Sequence, residues 1–163
     1  MFDRDKARFD GWVHKYRSFL YRAAWALTRE QSSAQDVVQE TFSLAWRARK
    51  TLREETAVQA WLYKILRREA LRYLSEREPW CEWADNICEE VAGTSETIDL
   101  RIDLLGALQA ISPFHREILV LFYLSDMGYA ELALAMEIPV GTVMSRLNRA
   151  RNALRQALGE GNQ

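Results

Sequence analysis

Apolar residues along the chain recur at separations of three and four, with polar residues between them, which is the period of a helix lying against a core. Strand-type alternation is not evident, and β-branched residues are scattered. The spacing predicts helices over Asp5 to Leu27, Ser33 to Lys50 and Ala57 to Arg77 in the first half. In the second half it predicts Leu100 to Ile111, Pro113 to Leu124, Tyr129 to Met136 and Val140 to Leu158. Ser32 followed by Gln35, and Ser33 followed by Asp36, have the form of capping boxes opening the second helix. Ser112-Pro113 starts another, because proline fits the first helical position, and Asp126-Met127-Gly128 separates it from the next.

Periodicity lapses from Pro79 to about Thr97, in PWCEWADNICEEVAGTSET, a stretch longer than the usual connection inside a compact domain. The expectation is an all-α chain of two small helical domains, 1–78 and 101–159, joined by a flexible acidic linker over 79–100. Charge follows the same division. The net charge of −1 conceals sixteen basic against eleven acidic residues in Met1 to Glu78, so +5, and one against seven in Pro79 to Pro113, so −6. Val140 to Leu158 carries Arg146, Arg149, Arg151 and Arg155 with no acid. Such asymmetry suits a chain that meets charged partners.

Composition excludes several classes. The N-terminus, MFDRDKARFDGW, is charged throughout and lacks the apolar core of a signal peptide, and no apolar run has the length of a membrane span, so a cytoplasmic protein is expected. Two cysteines, Cys81 and Cys88, do not make a disulfide framework. Together with His14 and His115 they match no metal-ligand spacing, so no metal, cofactor or enzymatic activity is expected.

Three segments carry candidate chemistry. The C-terminal YAELALAMEIPVGTVMSRLNRARNALRQAL has the grammar of a helix-turn-helix, with a short helix, a turn at Glu137-Ile138-Pro139 and a longer second helix. Val143, Leu147, Ala150 and Leu154 form one apolar stripe on that second helix, leaving Ser145, Asn148, Arg149 and Asn152 on the opposite face. Those residues suit base edges in the major groove, where one bidentate Arg or Asn contact discriminates by roughly 1–3 kcal/mol. Arg146 and Arg151 lie at the shoulders, placed for phosphates, and Thr142 near the helix start offers a hydroxyl.

In WLYKILRREALRYLSERE, Trp61, Tyr63 and Tyr73 alternate with Lys64, Arg67, Arg68 and Arg72, the mixture that holds a single strand by its backbone while aromatic faces accept bases. Trp61, Leu62, Ile65, Leu66 and Leu74 are also the spacing of an ordinary core. In SAQDVVQETFSLAWRARK, Val38, Phe42 and Ala45 face inward. Asp36, Glu40, Ser43 and Arg47 form an outward stripe with Val37 and Leu44 beside it, a combination that fits docking on another protein, although taken alone it is more simply the spacing of an ordinary amphipathic helix.

DVVQETFSLAWRA, AWLYKILRREALRYL and GTVMSRLNRARNALRQAL, in that order, resemble regions 2 and 4 of sigma factors of the extracytoplasmic-function group. The resemblance implies a sigma factor that binds core RNA polymerase and directs promoter-specific initiation. Asp36, Gln39 and Glu40 match the segment that docks on the polymerase clamp helices, and the same surface takes in Ser43, Leu44 and Arg47. Thr51 to Trp61 matches the loop that captures a flipped minus-ten base. The helix beyond it, with Trp61, Tyr63, Lys64, Arg67, Arg68 and Arg72, matches the strand-separating element. The helix-turn-helix, through Thr142, Met144, Ser145, Arg146, Asn148, Arg149 and Arg151, would read the minus-35 element of promoter DNA. The resemblance further implies an anti-sigma partner, often membrane-bound in that group. Arg68 and Arg72 stand where the group commonly has Asn and Asp, Met144 where a basic residue is frequent, and Glu137 where Gly is frequent. If the backbone is left-handed at Glu137, a non-Gly residue there costs on the order of 1 kcal/mol.

Overall fold

A computed structural model describes residues 2–77 and 100–160. The expected acidic linker, with Cys81 and Cys88, lies outside the described residues. Within them the chain forms α1 (Phe2–Thr28), α2 (Gln31–Ala48), 3-10 turns at Arg49–Thr51 and Glu55–Ala57, α3 (Val58–Arg77), α4 (Leu100–Ala110), α5 (Pro113–Leu124), α6 (Tyr129–Met136) and α7 (Val140–Glu160). Among the described residues no helix is long and apolar enough to cross a membrane.

Local chemistry explains most of the helix ends. α5 begins where Pro113 follows Ser112, whose hydroxyl accepts the backbone N–H of His115 at 3.3 Å. α6 ends at Glu137, which adopts a left-handed conformation with φ 57° and ψ 43°. The N–H of Ile138 then donates to the carbonyl of Ala133 at 3.0 Å, and that of Glu137 to Leu134 at 3.3 Å. This is a Schellman closure, usually made by glycine, and here it holds the helix-turn-helix corner at the strain expected of a non-Gly residue. α1 closes on a second left-handed residue, Arg29, with φ 60° and its N–H donating to Trp25 at 2.8 Å.

The capping boxes expected at Ser32 and Ser33 do not form. The N-cap of α2 is Glu30, without a side-chain cap bond, and Ser32 Oγ donates to the Glu30 carboxylate at 2.7 Å. Ser33 is buried and its hydroxyl is hydrogen-bonded to the Tyr73 hydroxyl of α3. A tertiary partner forty residues along the chain takes the group that a local cap would have used.

The first half packs α1, α2 and α3 around an edge-to-face aromatic cluster: Phe9 and Trp46 with centroids 5.2 Å apart, Phe9 and Trp12 at 5.9 Å, and Trp12 and Trp61 at 6.2 Å. The second half packs α4, α5 and α6 against α7, with Leu132, Leu147 and Ala150 buried. The two halves do not stand apart. α5 packs on α1 and α6 on α3, and one continuous apolar core runs through both. The fold is thus all-α with two helical units, as expected, and the units are docked on each other in this structure.

Candidate nucleic-acid and polymerase interface

On α7 the buried stripe falls where the period places it. Val143, Leu147 and Ala150 are buried and Leu154 partly so, leaving Ser145, Asn148, Arg149 and Asn152 exposed. Ser145 Oγ donates to the Thr142 carbonyl at 3.2 Å, which orients the hydroxyl along the helix while its lone pairs stay available. Met144, 54% exposed, and Val140, 43% exposed, add apolar surface beside these polar groups. Such side chains can meet the methyl group of thymine. The shoulder residues are anchored differently. Arg151 Nε donates to the Tyr123 hydroxyl at 2.9 Å, and its guanidinium stands 5.3 Å from the Phe122 ring. Arg146 is half-buried, with its guanidinium 5.9 Å from the Phe114 ring.

On α2, Asp36, Gln39, Glu40, Ser43 and Arg47 are exposed in one ridge. Leu44 is half-buried at the edge of a shallow groove that it lines with Arg47, Ala48, Ile65, Arg68 and Glu69. Val37, placed beside the stripe by spacing alone, is buried instead.

The basic aromatic residues of α3 are divided. Arg68 and Arg72 are exposed: Arg68 faces Glu137 at 3.3 Å across the two halves, and Arg72 pairs with Glu69 at 2.6 Å on its own helix. Exposed pairs of this kind contribute little and can be exchanged for a phosphate. Lys64 is half-buried, and Trp61 is half-buried with its ring edge-on to Trp12. Tyr63 is wholly buried and donates its hydroxyl proton to the Glu117 carboxylate of α5. Arg67 Nε donates to the same oxygen at 2.7 Å. Tyr63 and Arg67 therefore face protein in this arrangement, not an open groove.

That cluster is the feature the periodicity did not reveal. Burial, then the nearby Glu117 charge, pushes the Tyr63 hydroxyl well above the ordinary phenol pKa. Burial works against the charged form of Arg67, but the Glu117 carboxylate outweighs it and raises the guanidinium above its ordinary value. Beside it, Arg116 is fully buried and donates to the carbonyl of Ala26 on α1 at 2.7 Å and to that of Ile111 at 2.7 Å. The sequence contained one signal for it. Arg116 and Glu117 are adjacent charges inside the otherwise apolar PFHREILVLFYL, and charges on such a helix must find buried partners.

A buried helix-turn-helix scaffold that presents a polar recognition face, joined to a three-helix unit with an acidic ridge and a basic aromatic helix, defines a DNA-reading protein that also docks on another protein. Comparison with known proteins sharpens this. The sigma-70 region 2 family matches residues 12–78, and the sigma-70 region 4 family matches residues 101–154. The chain is 31% identical to the RNA polymerase sigma-H factor of Pseudomonas aeruginosa, over 94% of this chain and 88% of that protein. It is 28% identical to the sigma factor SigV of Bacillus subtilis, over 88% and 86%. Among solved structures, the sigma factor RpoE of Bartonella quintana, in complex with the anti-sigma factor NepR, superposes with a TM-score of 0.74 at 29% identity, covering 93% of this chain and 97% of that one. The chain belongs to the sigma-70 family, in its extracytoplasmic-function group.

Proposed function

We propose that this chain binds core RNA polymerase and selects promoters in two places. The exposed ridge of α2 (Asp36, Gln39, Glu40, Ser43, Leu44 and Arg47) docks on the polymerase. α3 and the turns before it, with Trp61, Tyr63, Lys64, Arg67, Arg68 and Arg72, hold the melted minus-ten strand. α7, with Thr142, Met144, Ser145, Arg146, Asn148, Arg149 and Arg151, enters the major groove of the minus-35 element. The role is selection, not catalysis, and its site of action is wherever the polymerase works, in the cytoplasm. An anti-sigma factor is the expected regulatory partner, supported by the complex in which the Bartonella relative was solved.

The observation that carries the reading is the two-sided construction of α7: an apolar stripe seated in the core behind an exposed row of hydroxyl, amide and guanidinium groups. Two weak sites on one chain gain avidity when both are engaged, so a chain of net charge −1 can select promoters once polymerase supplies the remaining grip. The test is run-off transcription by core polymerase mixed with this chain over a randomised promoter library. Recovered templates should share two spaced elements, and Glu40→Lys should abolish co-purification with core enzyme. No transcript from any template would overturn the proposal.

A further inference from the structure

Tyr123 lies in the last turn of α5 and is 60% exposed, so its ring adds little to the core. It is nevertheless held at both ends. The ring meets Phe122 edge-on with centroids 5.0 Å apart, and Phe122 stacks on Tyr129 at 5.6 Å, making an aromatic shelf from the end of α5 to the start of α6. The Tyr123 hydroxyl accepts the Nε proton of Arg151 on α7 at 2.9 Å, and that guanidinium lies 5.3 Å from the Phe122 ring and 5.7 Å from the Tyr123 ring. An exposed hydrogen bond largely replaces one to water, so stability does not account for the arrangement.

What the arrangement does supply is a set of aimed donors. The bond occupies only the Nε proton of Arg151, and the terminal nitrogens make no hydrogen bond or ion pair among the described residues. The Tyr123 hydroxyl, having accepted, keeps its own proton to give. Arg151 follows Asn148 by three positions and Met144 by seven, so it stands on their side of α7, at the rim of the base-reading face. A phosphate is the acceptor that suits a guanidinium and a hydroxyl side by side, because it gathers negative charge and several lone pairs in one small group.

We infer that Tyr123 and Arg151 form one phosphate clamp beside the recognition face: Tyr123 orients the guanidinium through Nε and gives its own hydroxyl proton to the same phosphate of the duplex backbone. The inference rests on the reading of α7 as the minus-35 helix, and it adds a contact from α5, outside the helix-turn-helix. An arginine held in place beforehand loses less rotamer freedom on binding than a free one. The clamp carries no base information. It fixes the register in which Ser145, Asn148 and Arg149 meet the base edges.

The test uses the full chain bound to core polymerase and a labelled duplex carrying the upstream element recovered by run-off selection, titrated at several salt concentrations. Tyr123→Phe keeps the ring on its shelf and removes the hydroxyl. It should weaken binding by about threefold to tenfold, the range for one net hydrogen bond, equally for matched and altered duplexes and with the unfolding midpoint unchanged. Arg151→Ala should weaken binding further and reduce the salt slope by about one. In that background the loss from Tyr123→Phe should shrink below about twofold, since the two side chains act as a unit. Replacing single phosphates by neutral methylphosphonates should reveal one position at which both variants bind as the unaltered chain does. Full-strength binding by Tyr123→Phe, losses that simply add, or a scan without such a position would each reject the clamp. If Arg149→Ala still loses discrimination in the same assay, the clamp alone fails and the minus-35 reading stands. If no substitution on α7 alters binding, that reading falls and the clamp with it.

Discussion

The outer face of α7 and the α5-facing side of α3 are both candidate DNA surfaces, yet they sit in opposite environments. On α7, Ser145, Asn148 and Arg149 face solvent while Leu147 behind them is buried. On α3, Tyr63 is buried and Arg67 is only 21% exposed, both held by Glu117 from the other half of the chain. A helix lying on the rim of a unit keeps its polar face open whatever the units do. A helix at the joint between units has its face assigned by whichever partner reaches it. One DNA surface is thus ready in the docked chain, while the other depends on how the halves are arranged.

Substitutions that separate scaffold from face should sharpen this contrast most. Leu147→Ala leaves a cavity behind the recognition face and should destabilise the folded chain by about 2–5 kcal/mol in urea denaturation. Arg149→Ala, on the exposed side of the same helix, should leave the unfolding midpoint nearly unchanged. It should cost about 1–3 kcal/mol of discrimination at the upstream promoter element, measured by competition between matched and altered duplexes in the polymerase-bound complex. Equal stability losses for the two variants would break the distinction between scaffold and face.

Smaller effects probe the corner and the joint. Glu137→Gly relieves the left-handed strain at the turn and should raise stability by up to about 1 kcal/mol in thermal unfolding, less what the exposed pair with Arg68 contributes. At the joint, Tyr63 holds its proton more tightly in the folded chain than the ordinary value of 10.0. Below that pH both folded and unfolded chains keep the proton, and stability is insensitive to it. Above it the unfolded chain releases the proton first, so stability should fall as pH rises. Tyr63→Phe should flatten this alkaline decline in denaturation curves recorded on either side of about pH 10.

Much of the molecule is legible in the order of its residues. The helices Pro113 to Leu124 and Tyr129 to Met136 have the bounds that the sequence predicts, because Ser112-Pro113, Gly128 and the Glu137 corner are local signals that act within one turn of helix. The burial of Val143 and Leu147 and the exposure of Asn148 and Arg149 follow from period alone. Where a side chain has two possible partners, the local rule fails. Ser33 leaves its expected cap for Tyr73, and Val37 turns inward.

The helix pattern, its stops, and the two-sided character of α2 and α7 are set by the sequence itself, since periodicity and turn chemistry act over a few positions. The fate of Tyr63, Arg67, Arg116 and Glu117 is decided only where the halves meet. A helical period says which residues share a face, but the group that face meets comes from a distant segment, here Glu117 at fifty positions from Arg67. Buried charge must then be matched wherever the chain brings the partners together.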